Sequence, residues 1–247
     1  MALVHQKGAE SAVVKGKENL DLMIDWLAMF QYSTPRILSK LIGSVGAASE
    51  ARIRNRLVNG GWATLMPTPG STAGFRIRTR AKGQKATTSV PYILVASDAA
   101  VSLADFRSNF DIPTKFHSRM VGDYIHHDLC AQLVAALAVS SNREWIGLSK
   151  HAMPIGAKHY DAAVCFNGRF LGIEVERSRK DPQRELWRAF DNIAKSLSGF
   201  DTDGMTERKK YEGVIYCFEN EALKDLYKKY FVQWCNRRPC TLDEQPN

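Results

Sequence analysis

The chain has 247 residues, of which 45% are hydrophobic and 10% aromatic, and its 34 Lys and Arg against 26 Asp and Glu give a net charge of +8. This apolar content excludes a wholly disordered chain, and the length suits about two domains of roughly 100–150 residues. No window approaches the roughly 18 consecutive apolar residues of a membrane span, and the polar N-terminus lacks the apolar core of a signal peptide. We therefore expect a cytoplasmic protein that does not insert into a membrane.

The positive charge is concentrated in one segment of the chain. Residues 1–120 carry 16 basic and 8 acidic side chains, whereas residues 121–247 carry 18 of each. Within residues 31–85 there are 10 basic side chains and one acidic side chain. An excess as local as this favours a separate module that binds a polyanion.

The first predicted elements are a flexible tail over residues 1–18 and two short helices. Residues 20–30 have apolar side chains at helical spacing, which predicts one buried helix face. Thr34 is the predicted cap of the second helix and Pro35 its first residue, and two glycines end it.

A third helix and a basic hairpin follow. The helix is predicted from its cap Ser49 to about Val58, and two strands are predicted over residues 62–66 and 75–80. Three short helices followed by a basic hairpin resemble a winged helix-turn-helix, in which the third helix enters a major groove and the wing contacts the backbone. We predict such a DNA-binding domain over residues 19–110, although a solvated basic face is the alternative. The candidate DNA contacts are Arg52, Arg54, Arg56, Arg76, Arg78 and Arg80.

The second half begins with an apolar helix predicted from about Met120 to Val139, and its most informative feature is a hairpin. Asn167-Gly168 lies between two apolar runs, which predicts a two-residue type I′ turn. In the register that this turn sets, each pair of opposite residues sums to 335. Asp161 therefore lies opposite Glu174.

Glu176 follows Glu174 on the same face, so three carboxylates are expected at one end of the hairpin. Opposite residues in a ladder have Cβ atoms about 4.5–5.5 Å apart, and like charges at that distance repel. One solution is a hard divalent cation, Mg²⁺ or Mn²⁺, held by Asp161, Glu174 and Glu176. A second is a strand register in which the acids are solvated at a strand end. A third is neutralisation by nearby cations, namely Lys158, Arg177, Arg179 or Lys180.

The spacing of Asp161 and Glu174-Val-Glu176 resembles the core of the PD-(D/E)xK nuclease superfamily. The resemblance implies a restriction-endonuclease-like mixed sheet flanked by helices over residues 111–238, followed by a tail over 239–247. It also implies that Asp161 and Glu174 hold the metal. The chain departs from the motif twice, because Tyr160 stands in place of its Pro and Glu176 in place of its Lys.

Because Glu176 stands in place of the motif's Lys, other residues are candidates for the role of that Lys and for auxiliary contacts. Glu176 is interpreted as a third ligand or as the base for the attacking nucleophile. Lys195, on a helix predicted after Asp181, is the first choice for the missing catalytic cation, and Arg177 is the second; a phosphate contact or a surface charge is the alternative for each. The auxiliary candidates are His126, His127 and His159. For His126, helical phase also allows a core histidine.

The order of these features along the chain resembles a smaller group within the nuclease-like proteins. A winged helix, a helix with His and then D…ExE resembles the plasmid replication-relaxation proteins, most of all the MOBC-class mobilisation relaxases, over roughly residues 20–235. This resemblance implies a bacterial cytoplasmic enzyme that nicks plasmid DNA at an origin of transfer. It also implies an accessory mobilisation protein and a type IV coupling protein as partners. Tyr32, Tyr124 and Tyr160 are scattered, which favours metal-activated attack over a tyrosine mechanism with a histidine triad. Two alternatives stay open: a replication or transcription regulator with an inactive nuclease-like domain, and a nuclease that cuts both strands.

Overall fold

The computed structural model describes residues 2–68, 75–81, 84–90, 92–108, 110, 112, 122–152, 160–181, 185–198 and 211–237. This part of the chain is a mixed α+β structure, which confirms the predicted fold class at that level. The helices are α1 (Ala2–Phe30), α2 (Pro35–Leu41), α3 (Ala47–Asn59), α4 (Asp98–Arg107), α5 (Gly122–Ser141), α6 (Trp187–Ser198) and α7 (Glu221–Arg237). The strands are β1 (Tyr32–Ser33), β2 (Ala63–Pro67), β3 (Phe75–Ala81), β4 (Gln84–Val90), β5 (Tyr92–Ala96), β6 (Ile146–Ser149), β7 (Ala162–Phe166), β8 (Arg169–Glu176) and β9 (Tyr211–Phe218).

The first helix is longer than the sequence predicted. It begins at Ala2, so the prediction of a flexible tail over residues 1–18 is wrong for residues 2–18. This segment has no proline and contains several alanines, lysines and glutamates, which favour a helix even without apolar periodicity. Gln31 follows the helix in a left-handed conformation with φ 68°, and its side-chain amide donates to the Ala28 carbonyl at 2.7 Å.

The next two helices begin differently from each other. Thr34 Oγ1 accepts a hydrogen bond from the Ile37 backbone N–H at 3.2 Å, and Pro35 is the first residue of α2, as predicted. The predicted cap of α3 is wrong, because Gly46 precedes the first turn and Ser49 lies inside the helix. The Ser49 hydroxyl instead pairs with the Ser44 hydroxyl at 2.5 Å, across the turn between the two helices.

The strands of the first half pair in an order that the sequence did not predict. The predicted hairpin joined residues 62–66 to 75–80, but β2 pairs with β5, which also pairs with β1. The basic strand β3 pairs with β4 in a separate two-stranded ladder. Residues 84–90 escaped prediction because Gln-Lys-Ala-Thr-Thr-Ser-Val has β-favouring residues but no alternation of apolar side chains.

The second half forms a four-stranded mixed sheet in the order β6-β7-β8-β9. The first three strands are antiparallel, and β8 and β9 are parallel. Asn167 and Gly168 have φ of 48° and 76°, as a type I′ turn requires. The predicted register is confirmed from Phe166 opposite Arg169 to Ala162 opposite Ile173.

One hydrophobic core joins the two halves of the described chain. Trp26 of α1 packs so closely on Gly147 of β6 that a Cβ there would overlap its ring. Leu38 of α2 and Leu129 of α5 belong to this same buried cluster, and α2 packs against α5. A smaller cluster lies between α6 and α7. The boundary predicted near residue 110 therefore does not divide this core. Among the described helices, none combines the length and apolarity that crossing a membrane requires.

Candidate functional site

Asp161 lies at the end of the hairpin, one residue before β7, and both of its carboxylate oxygens are engaged. Oδ1 accepts from His127 Nε2 at 2.8 Å, and Oδ2 accepts from the Val175 backbone N–H at 2.8 Å. The Asp161 backbone N–H donates to the Ile173 carbonyl at 3.0 Å. These contacts fix the carboxylate between α5 and β8, and its side chain remains 22% exposed.

Glu174 and Glu176 alternate along β8, and both are buried, at 9% and 3% exposure. Lys180, four residues after Glu176 in the chain, donates from Nζ to Glu176 Oε1 at 2.5 Å. The Glu176 side chain is 4% exposed and the Lys180 side chain 36%, so the ammonium reaches solvent while the carboxylate does not. A buried carboxylate is costly without such a partner.

Aromatic side chains of β9 and α7 surround the glutamates. Tyr216 and Phe218 are the β9 partners of Glu174 and Glu176 in the parallel ladder, and their stacked rings have centroids 5.7 Å apart. The buried Tyr227 of α7 lies beside Glu176. Burial first, and then the charge of Glu176, raises the pKa of Tyr216 and of Tyr227, so both phenols stay protonated at neutral pH.

These contacts bear on how the chain accommodates three carboxylates. The charges of Glu176 and Asp161 both raise the pKa of Tyr216, which is the β9 partner of Glu174, so these two acids act on the same phenol. Lys180, one of the neutralising cations considered from the sequence, contacts Glu176, whereas His127, which was not among them, contacts Asp161.

A bound metal ion was another of the solutions considered for the repulsion between the carboxylates. Among the described residues, no group of three or more His, Cys, Asp or Glu side chains is arranged to hold a metal ion. The chemistry of the donors nonetheless fits Mg²⁺ or Mn²⁺, because all three are hard carboxylate oxygens. A cation held there would replace the contacts of His127 or Lys180.

The histidine that reaches the cluster is His127. The sequence argument put His126 on the buried face of the helix with Leu137, but Leu137 is 51% exposed and His126 is half-buried. The fully buried positions of α5 include Ile125 and Leu129, one residue out of phase with that prediction. The helix is apolar on nearly every side, so its periodicity does not fix its orientation. The candidate His159 lies outside the described residues.

The cation that contacts the cluster is Lys180, which the sequence named only as a neutralising charge. Lys195 is exposed near the end of α6, which begins at Trp187, and its ammonium pairs with none of the described carboxylates. Arg177 is half-buried, and its charge acts on the thiol of Cys130 on α5. The signal for Lys180 was its spacing of four residues from Glu176. The catalytic role of Lys195 stays a prediction.

The tyrosines considered as nucleophiles are engaged elsewhere or lie outside the description. Tyr160 is 1% exposed, and its hydroxyl pairs with that of Ser196. Tyr32 donates to Asp128 Oδ2 at 2.8 Å. Nothing is described of the Tyr124 side chain. The sequence missed Tyr216 beside the cluster, because its position depends on the parallel pairing of β8 and β9.

The arginines of α3 divide into two sets. Arg52 and Arg56 are exposed and one turn apart, which puts them on the same side of the helix. Arg54 is half-buried, donates to the Tyr92 hydroxyl at 3.3 Å and lies over the Tyr92 ring at 5.9 Å. Only the first two therefore form an open basic stripe. Arg76, Arg78 and Arg80 alternate along β3, and their side chains are outside the description.

No protein-family model, curated protein or solved structure matches the chain. The resemblance to nucleases and relaxases therefore depends on the residues of the chain itself.

Proposed function

We propose that the chain is a Mg²⁺- or Mn²⁺-dependent DNA endonuclease of the relaxase type, which nicks plasmid DNA at an origin of transfer. The observation that carries the proposal is the hairpin register, which brings Asp161 beside β8 at the level of two buried glutamates. Carboxylates buried on a sheet and surrounded by tyrosines destabilise the fold unless a cation or a hydrogen-bond donor compensates their charge. A bound divalent cation would supply that compensation. The resemblance to the PD-(D/E)xK core supplies the reaction.

The DNA-binding part of the proposal is a winged helix in the first half. The order helix, strand, helix, helix, strand, hairpin, strand supports it, with β1, β5 and β2 as a small sheet and β3–β4 as the wing. Arg52 and Arg56 on α3 would contact phosphates, and β3 would add the arginines of the wing. The basic hairpin β3–β4 lies between β2 and β5 in sequence, where a winged helix has its wing.

The residues of the cluster have separable tasks in this proposal. Asp161, Glu174 and Glu176 would hold the cation, which when bound lowers the pKa of its water and stabilises charge on the scissile phosphate. His127 and the Val175 N–H orient Asp161 from opposite sides. Lys180 holds the Glu176 carboxylate, and its partly exposed side chain would contact a phosphate of the DNA backbone.

A second candidate function is a DNA-binding replication or transcription regulator whose nuclease-like half is inactive. The specific observation in its favour is that Glu176 has the Lys180 ammonium as a partner and Asp161 has His127, so two of the acids are engaged by side chains of the protein itself. In that case the ion pairs are structural, and the arginines alone carry the function.

A plasmid-nicking assay tests the enzyme. Purified protein is incubated with supercoiled plasmid that carries the transfer origin of its own replicon, with Mn²⁺, with Mg²⁺ or with chelator; open circles are expected only with metal. Asp161→Asn and Glu174→Gln should abolish nicking, and Asn keeps an oxygen that accepts from Val175. Glu212→Gln is the matched control, because Glu212 is an exposed acid of the same sheet.

The outcomes separate the candidates. Wild-type nicking rates in both Asp161→Asn and Glu174→Gln would show that the site is assigned wrongly. Absence of nicking and of Mn²⁺ binding, together with an intact DNA footprint, would favour the regulator. A linear product in place of open circles would identify a nuclease that cuts both strands.

The DNA-binding surface has its own test. Replacing Arg52 and Arg56 with Gln should weaken binding to duplex DNA and lower the slope of log affinity against log salt by about 2, since each phosphate contact contributes about 0.9. Arg143→Gln, an exposed arginine after α5, is the control and should leave the slope unchanged. An unchanged slope in the double variant would show that these arginines of α3 do not contact the DNA phosphates.

The resemblance extends the proposal to partners and location. A relaxase of this kind acts in the bacterial cytoplasm on double-stranded plasmid DNA, with an accessory mobilisation protein at the origin and a type IV coupling protein that receives the nicked complex. Co-purification of the full chain with each protein encoded beside it, with and without origin DNA, tests these contacts.

A further inference from the structure

Asp128, the residue after His127, connects the two halves of the chain. The Tyr32 hydroxyl donates to its Oδ2 at 2.8 Å, and the Lys150 ammonium donates to its Oδ1 at 3.0 Å. Tyr32 belongs to β1 beside the helices proposed to bind DNA, whereas Lys150 follows β6 of the four-stranded sheet. One carboxylate therefore receives donors from both sides, next to the histidine that contacts Asp161.

Tyr32 is held firmly in place. Gln31, the residue before it, has the left-handed φ of 68°, a conformation that costs free energy for a residue with a side chain and persists only where its surroundings fix it. The Gln31 carbonyl accepts from the Ala96 N–H at 2.9 Å, and its amide donates to Ala28. Burial raises the pKa of Tyr32, so its hydroxyl is a donor at every physiological pH. Two residues later, Thr34 caps α2.

A packed route leads from α3 to α5. The helix α2 packs against α3 on one side and against α5 on the other. A movement of α3 and α2 therefore reaches α5 by side-chain packing and, through the short segment Tyr32–Thr34, by the hydrogen bond to Asp128. Because Asp128 and His127 are consecutive in α5, a shift of Asp128 also moves His127.

We infer that Tyr32 is a positioning residue, which through Asp128 holds α5 in the place where His127 contacts Asp161 and so links DNA engagement by the N-terminal helices to the carboxylate cluster. The catalytic consequence rests on the proposed nicking activity. In this proposal Tyr32 acts through Asp128 and touches neither the cation nor the DNA.

The test begins with Tyr32→Phe, which removes one hydroxyl and keeps the ring. Its kcat for nicking should fall about 5- to 20-fold, in the range of typical coupling between sites, with KM and DNA affinity unchanged. His127→Asn should lower kcat as well. The double variant should be no slower than His127→Asn alone, because both changes act through one contact.

A matched control separates positioning from general destabilisation. Ser108→Ala removes a hydroxyl that follows α4 and accepts from the Phe110 N–H at 3.0 Å, a partly buried hydrogen bond of a residue outside α3, α2 and α5. It should leave kcat at the wild-type value even if thermal denaturation shows a comparable loss of stability in both variants. Equal losses of kcat in Ser108→Ala and Tyr32→Phe would overturn the inference.

A second measurement does not depend on activity. The ring ¹⁵N resonances of His127 should shift in Tyr32→Phe and stay in place in Ser108→Ala. Wild-type nicking by Tyr32→Phe, or losses that multiply in the double variant, would overturn the inference and leave the proposed function intact. If the wild-type protein itself does not nick, the proposed function fails, and an unchanged His127 signal in Tyr32→Phe then overturns the link as well.

Discussion

Replacing Lys180 with Met tests how the protein stabilises its most buried carboxylate. The Glu176 side chain is 4% exposed and that of Lys180 36%, and the two are joined at 2.5 Å. Removing one partner of a fully buried pair costs about 3–5 kcal/mol, whereas an exposed pair contributes about 0–1 kcal/mol. Since only one partner here is buried, we expect Lys180→Met to lower the free energy of unfolding by about 1–3 kcal/mol.

Urea denaturation followed by tryptophan fluorescence measures this loss. With a slope of about 2–3 kcal/mol per molar urea, the midpoint should fall by about 0.3–1.5 M. Lys224→Met is the matched control, because Lys224 pairs with Glu221 on the exposed side of α7 at similar spacing, and its midpoint should not move. Adding Glu176→Gln to Lys180→Met should recover most of the lost stability, since position 176 then carries no unpaired buried charge. A wild-type midpoint in Lys180→Met would refute the reasoning.

The same variant bears on the metal. Removing the ammonium leaves the three carboxylates more negative, so a divalent cation is attracted more strongly. We expect Mn²⁺, titrated by electron paramagnetic resonance, to bind Lys180→Met more tightly than the wild type and to restore part of its lost stability. Equal or weaker binding would mean that the carboxylates do not form a cation site.

Two further predictions concern packing and reactivity. A Cβ at Gly172 would lie 2.6–2.8 Å from ring atoms of Tyr160, so Gly172→Ala should cost about 1–3 kcal/mol in thermal denaturation, whereas Gly213→Ala, with its closest contact at 3.4 Å, should cost much less. Equal costs would contradict the close packing of the ring. Burial raises the pKa of Cys130 to about 11, and the thiolate is the reactive form, so a maleimide at pH 8 should label exposed Cys235 and spare Cys130. Mass spectrometry reads the labelled peptides, and early labelling of Cys130 would contradict its burial.

The parts of the site that follow from local chemistry were predictable from the sequence. A two-residue turn with positive φ at both positions favours Asn-Gly, and that turn alone fixes which residues of β7 and β8 are opposite. The confirmed pairing of Phe166 with Arg169 therefore carries through to the end of the ladder. The capping of α2 by Thr34 is local in the same way.

The parts that depend on distant segments were not predictable. The strand β2 pairs with β5, and the hairpin β3–β4 lies between them in sequence. Because β4 is polar and has no apolar alternation, the sequence did not indicate that hairpin. The choice of His127 over His126 depends on how α5 is rotated against α2 and the sheet, and a helix that is apolar all round carries no phase information. The aromatic neighbours of Glu176 come from β9 and α7, which only the parallel crossover brings to β8.

The pair of Glu176 and Lys180 offers a physical account of the departure from the nuclease motif. Where the motif has a lysine, this chain has a buried glutamate, and the ammonium comes from Lys180, four residues later. The chain therefore has the motif's cation near this position, together with one more acid than the motif. Exchanging the two, Glu176→Lys with Lys180→Glu, keeps the pair and restores the motif's lysine to β8. If Glu176 serves as a charge partner, the exchanged variant should fold with a midpoint close to that of the wild type and still nick with metal. If it folds but no longer nicks, Glu176 is needed as an oxygen ligand, and the lysine of the motif has been replaced by a third carboxylate in function as well as in sequence.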